Sequence, residues 1–284
     1  MRRTDVVGAV SFSRTFGFVD TGADHGILAR LQRSIASIGW LQHAPWLLNI
    51  HNALIPIIGN WVGLNDRHGK FFDMSEEEVE SWKQRGRTEK DMVGLLVDVQ
   101  RTKPELNDKN IKYMMSTNIF AGSDTTSTSL RGTMLHLLRN PDKMRCLMEE
   151  LEGKKARGEL SDPPTYEETL ECPYLQAAMY EGVRLYPAIG SPLARVVPEG
   201  GMDVDGRFAP EGTIVGSSAY IINRLPQVWG PDANEFRPER WLDSKENVSA
   251  LNLSWLEMSK MIPWLLLRYN LTQVDGDKVY EEYG

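Results

Sequence analysis

The chain has 284 residues, 41% of them hydrophobic, enough to bury a substantial core and too many for a disordered tail. A net charge of -7 leaves no excess of cations to neutralise a phosphate backbone, so no nucleic acid partner is expected. Two cysteines, Cys146 and Cys172, neither in a C-x-x-C pair, exclude a disulfide framework or a zinc ribbon and fit a reducing compartment.

Helical signals dominate to residue 186, beginning with 2–16 and 22–39. Two arginines open the chain, but polar residues then interrupt its apolar ones, so no signal-peptide core follows. The most apolar stretch, 41–64, is broken by His43, Pro45, Asn49, His51, Asn52, Pro56 and Asn60, which argues against a transmembrane helix. Its clustered Trp40, Trp46 and Trp61 suit either short helices resting on a membrane interface or a buried helix pair.

Next, 75–86 reads as a helix with Ser75 as N-cap and Glu78 completing a capping box, and 91–101 as another. After Pro104 comes a proline-free run, 107–139, capped by Asn107 and ending at Asn140-Pro141. Such a helix is about 50 Å long, enough to cross a whole domain. Pro141 opens a surface helix to 157, and Pro173 opens one that stops at Pro187. From 188 to 222 short β-branched runs alternate with Gly, Pro and Asp turns, predicting a small antiparallel sheet. Ordered, meander-like coil is expected over 223–252. A last helix over 253–269 has Ser254 and Glu257 as a second possible capping box. It is expected to lie on the long helix through Leu256, Met261, Leu265 and Tyr269. The fold class is therefore mainly α with a small antiparallel β region, an α+β arrangement read as one domain over 1–284.

Three features carry chemistry. AGSDTT at 121–126 interrupts a long helix with a glycine and two threonines, which either fits a kinked core helix or brings Asp124 and Thr125 to a local loosening beside Gly122. Glu181 and Arg184 share one helix face at i and i+3, flanked by Leu175, Ala178, Met179, Val183 and Leu185, so the pair is expected to be partly buried. In FRPERW at 236–241, Arg240 is positioned to join them in a three-member network. None of the five histidines sits in a nucleophile motif that would support a hydrolase.

These motifs lie 57 residues apart, from Asp124 to Glu181, and then 59, from Glu181 to Arg240, with the small sheet between. In that order they resemble the C-terminal part of a cytochrome P-450. AGSDTT is similar to its oxygen-activation motif, EGVR to its E-x-x-R, and FRPERW to its P-E-R-F with Trp241 in the last place. LPQVWGPDANEFRPERW and LSWLEMSKMIPWLLLRYNL resemble fungal microsomal members in particular.

The resemblance implies a haem cofactor, a small apolar substrate in fungal secondary metabolism, an NADPH reductase as electron donor, and attachment to the endoplasmic reticulum membrane. It implies that Asp124 and Thr125 relay protons to iron-bound dioxygen, that Gly122 and Arg195 contact haem, Arg195 through a propionate, and that Glu181, Arg184 and Arg240 are structural. The alternative reading of Arg195 is a solvent-facing strand residue.

The pattern breaks where the family carries F-x-x-G-x-x-x-C-x-G, whose cysteine thiolate ligates the iron. Trp241 is followed by LDSKENVSALN and then directly by the last helix, and no cysteine stands beyond Cys172. No metal ligand is thus expected, and the thiolate's loss removes the O–O cleavage chemistry. The start resembles the middle of a family member, so the membrane anchor is expected to be missing and the chain to be cytoplasmic or peripheral to a membrane, with contact through 41–64. The expectation is a truncated, inactive monooxygenase relative. The alternative is a non-catalytic protein that binds an apolar ligand or a partner on the same scaffold.

Overall fold

The computed structural model describes residues 2–22, 46–47, 50, 53–54, 69–86, 90–103, 105–242 and 253–272. They divide into two compact units, residues 1–124 and 125–284. The helix expected over 22–39 lies outside the described residues except at Gly22, and so does most of the 41–64 stretch. Among the described residues no helix is long and apolar enough to cross a membrane.

In the first unit α1 (Arg2–Phe12) ends four residues short of the expected 2–16, because Ser13 and Gly17 turn left-handed at φ 54° and 73°. A short α2 (Phe18–Thr21) follows. The next helix, α3 (Gly69–Arg85), begins six residues upstream of the predicted cap. Ser75 is therefore not an N-cap: it is fully buried within the helix, and its hydroxyl donates to the Lys112 carbonyl at 3.2 Å. α4 (Met92–Thr102) is capped by Asp91, a buried carboxylate that accepts from the Gly94 amide at 2.8 Å, the Trp82 indole at 2.7 Å and the Ser13 hydroxyl at 2.6 Å. The proline-free run is one continuous helix, α5 (Asp108–Arg139), and Asn107 caps it by accepting from the Asn110 amide at 3.0 Å. Ile111, Met115 and Ile119, four apart on α5, bury one stripe against Val7, Phe12, Val79, Trp82 and Val93. Lys112 pairs with Glu76 at 2.6 Å and Glu80 at 2.9 Å, tying α3 to α5.

The second unit contains the end of α5, α6 (Pro141–Ala156), α7 (Tyr166–Leu170) and α8 (Pro173–Leu185). Cys172 precedes α8 and offers no side-chain cap. Glu150 of α6 supplies one from another helix, accepting from the Tyr174 and Leu175 amides at 2.8 and 2.9 Å. The predicted sheet is two antiparallel pairs: β1 (Leu193–Val196) with β4 (Ile214–Ser217), and β2 (Met202–Val204) with β3 (Arg207–Ala209). The coil expected after 222 contains short helices α10 (Pro226–Trp229) and α11 (Glu239–Leu242), preceded by α9 (Ala219–Ile222).

α12 (Leu253–Leu266) is the last described helix, and the expected packing register is corrected. Its buried stripe is Met258, Ser259, Ile262 and Leu266, whereas Tyr269 is 53% exposed, Met261 and Leu265 are half-buried, and the Leu256 side chain lies outside the described residues. Spacing at i, i+4 and i+8 turns that stripe mainly onto α7 and α8. Leu137, Leu147, Leu151, Leu175, Met179, Leu185 and Phe236 complete this core. Each fully buried aliphatic chain contributes about 1.5–3 kcal/mol.

Candidate functional site

The site's framework is a crossing of α5 and α8 with almost no side chain between them. A Cβ on Gly182 would stand 2.2 Å from Thr133 Oγ1 and 2.8 Å from Thr133 Cα, and one on Gly132 would stand 2.5 Å from Tyr186 Cβ. Only glycine permits this approach, so Gly182 fixes where its neighbour Glu181 and its second successor Arg184 lie.

Glu181 is fully buried and Arg184 nearly so. The guanidinium grips the carboxylate with both arms, Nε to Oε2 and Nη2 to Oε1, each at 2.8 Å. It also donates to the carbonyls of Asn223, Ala233 (2.6 Å) and Glu235 (3.1 Å), and lies over the Trp229 ring at 5.0 Å. Arg240 donates through Nε to Glu181 Oε1 at 3.0 Å and reaches the Trp229 and Asp232 carbonyls at 3.1 and 3.2 Å. The Arg237 amide and the Trp241 indole complete the shell of Glu181, both at 2.9 Å. Burial opposes ionisation of Glu181, but Arg184, the Arg237 amide and Trp241 outweigh it and hold its pKa below the usual carboxylate range. One charge and five donors thus staple α8 to 223–241, beside the apolar anchor that Phe236 makes in the core.

Trp241 could be recognised in advance only as an aromatic. Its indole N–H is an extra donor, and the ring stacks on Tyr180 at 5.1 Å and tilts against Trp229 at 5.6 Å. Glu239 of the same segment accepts from Tyr174 Oη at 2.9 Å and Lys143 at 3.1 Å, which links α11 to α6 and α8. Sequence spacing gave no sign of that second staple.

The AGSDTT segment is helical throughout. The close approach expected at Gly122 is made by the Val7 side chain of α1, 2.9 Å from where a Cβ would lie. The side of Gly122 on which a Cβ would stand is therefore filled by the Val7 side chain. The Asp124 side chain lies outside the described residues. Thr125 is half-buried and its carbonyl accepts from Ser129 Oγ at 3.2 Å, the local back-bonding that threonine- and serine-rich helices use. Arg195 sits on a strand exposed along its whole length and donates to its neighbour's carbonyl, Ala194 O, at 2.9 Å.

A haem-thiolate centre needs a thiolate, and the cysteines do not supply one. Cys172 is fully buried, its thiol donates to the Glu168 carbonyl at 3.6 Å, and burial reinforced by Glu150 pushes its pKa up to about 11. Cys146 is half-buried beside the Tyr174 hydroxyl. Among the described residues no cluster of His, Cys, Asp or Glu could hold a metal ion. The residues present do not fit a thiolate-ligated iron.

The cytochrome P450 family model matches residues 3–263. The chain is 47% identical over 241 residues to cytochrome P450 monooxygenase hepC of Aspergillus oryzae, covering 85% of this chain and 47% of that protein. It is 30% identical over 301 residues to cytochrome P450 monooxygenase pkfB of Emericella nidulans, covering 98% and 58%. It is 29% identical over 300 residues to pisatin demethylase of Fusarium vanettenii, covering 98% and 58%. The chain spans about half the length of the curated relatives it matches. The two longer alignments exceed the 284 residues available, so those relatives carry residues with no counterpart in the matched part of this chain.

Proposed function

The chain belongs to the cytochrome P450 family, a family with a haem cofactor, and we propose that it represents a fungal monooxygenase lineage oxidising a small apolar organic substrate, whose sequence as it stands does not carry out that oxidation. The observation that carries this reading is the thiol inventory. Two cysteines are present, one sealed in the core with a raised pKa and one facing a tyrosine, and neither accompanies the family's F-x-x-G-x-x-x-C-x-G. What remains is the supporting scaffold: the Glu181–Arg184–Arg240 staple, and the helix on which Asp124 and Thr125 would serve as proton-relay residues in a complete site. Arg195, exposed and donating to the Ala194 carbonyl of its own strand, would bind an anionic carboxylate such as a haem propionate.

The electron donor in this reading is an NADPH reductase, the location is the endoplasmic reticulum membrane for the lineage, and the 41–64 stretch is a peripheral membrane contact. A non-catalytic ligand- or partner-binding role is the second reading, favoured by the same lack of a usable thiolate. Haem-loaded protein, reduced and exposed to carbon monoxide, tests the proposal. The expected Soret band is not of thiolate type, and a thiolate-type band would overturn the reading.

A further inference from the structure

The two outer edges of the β1–β4 pair are protected very differently. The strands are antiparallel, with Arg195 opposite Val215 and Ala194 opposite Gly216. The Val197 amide donates to Thr213 O at 2.9 Å. By the alternation of antiparallel ladders, Arg195 and Val215 bond each other, while the amides and carbonyls of Ala194, Val196, Ile214 and Gly216 point outward. On β1 that outward row is guarded: the Arg195 guanidinium covers the Ala194 carbonyl at 2.9 Å, and Pro192 and Pro198 flank the strand.

No such guard stands on β4. Residues 212–218, GTIVGSS, hold neither a charge nor a proline, and among the described residues β4 has a strand on one side only. Its faces are also uncovered, with Ile214 61% exposed and Val196 opposite it 68% exposed. A two-stranded ribbon is at best marginally stable alone, and an uncharged open edge is a template for another strand.

We infer that the β4 edge is where two copies of this chain pair, antiparallel about a two-fold axis through Val215. The outward row requires Ile214 to bond opposite the partner's Gly216. That register sets Val215 against the partner's Val215 and Thr213 against the partner's Ser217, a β-branched pair and a hydroxyl pair of the kinds that stabilise sheets. The same construction on β1, with Ala194 opposite the partner's Val196, would drive Arg195 against the partner's Arg195. Charge therefore selects β4, and the product is a four-stranded sheet with an isologous interface.

Sedimentation equilibrium of the full chain over a wide concentration range reads the interaction. The expected result is a reversible monomer–dimer equilibrium. Val215→Glu keeps a favourable pair with Arg195 in its own chain but opposes two carboxylates across the axis, so it raises the dissociation constant roughly tenfold or more. Ile214→Pro removes an outward amide and acts in the same direction, while Leu193→Lys on the guarded strand leaves the constant unchanged, with circular dichroism confirming the fold of each. A monomer at every concentration overturns the inference. If the Ile214 and Gly216 amides of that monomer are protected from exchange, another segment of the same chain covers β4. A dimer that neither β4 variant weakens overturns it equally.

Discussion

Arg184→Ala tests the staple at its centre. The substitution deletes two charge-assisted hydrogen bonds to Glu181 and leaves the carbonyls of Asn223, Ala233 and Glu235 without their donor. Glu181 keeps Arg240, the Arg237 amide and Trp241, so its charge is not orphaned outright. The loss is therefore expected at about 3–5 kcal/mol, the range for breaking a buried pair, and not beyond it. Since a domain's whole stability is about 5–15 kcal/mol, this would leave the variant poorly soluble or partly unfolded. Urea denaturation at matched concentration measures it, and Arg184→Lys should recover only a fraction, because one ammonium cannot reach both Glu181 oxygens and the carbonyls together. A change below about 1 kcal/mol with an unaltered m-value would refute the reasoning.

His136 is stacked on Phe236 at 5.2 Å, its Nε2 has no hydrogen-bond partner among the described residues, and burial, with Arg139 and Arg224 nearby, lowers its pKa to about 4. The unfolded chain binds a proton more readily than the folded one, so stability should fall as pH drops from about 6.5 to about 4, by up to about 3 kcal/mol, and His136→Phe should flatten that part of the urea-midpoint profile. Gly182→Ala drives a methyl into Thr133 and should cost at least about 1–3 kcal/mol by the same denaturation assay, whereas Gly158→Ala, with open space around it but a φ of 72°, should cost about 1 kcal/mol. Trp241→Phe keeps the ring contacts with Tyr180 and Trp229 but removes the indole donor to Glu181, for an expected loss of about 1 kcal/mol of unfolding free energy by urea denaturation.

Legibility in the sequence followed the range of the interactions. Local signals located α5, α6 and α8 to within a residue or two, because proline, asparagine and apolar spacing act within one helical turn. Motif order alone points to the Glu181, Arg184 and Arg240 network that the fold forms. Ser75 misled because a capping box is only a pattern of residue types, and the helix starts six residues upstream at Gly69. Long-range partners left no local trace: Glu150 capping α8, Thr133 against Gly182, and Val7 in the space beside Gly122 are each matters of packing between distant segments. The α12 register was misjudged for the same reason. An amphipathic pattern marks which residues are apolar, and the partner helices, α7 and α8, decide which of them are buried.

The central claim is that no sulfur of this chain serves an iron. Titrating haem into the wild type, Cys146→Ser and Cys172→Ser, and recording each reduced carbon-monoxide spectrum, tests it most directly. Three superimposable spectra without a thiolate-type band are predicted, because Cys172 is sealed beneath the Glu168 carbonyl and Cys146 lies against Tyr174. A thiolate-type band in the wild type that vanishes in one of the serine variants would contradict it and would name the ligand.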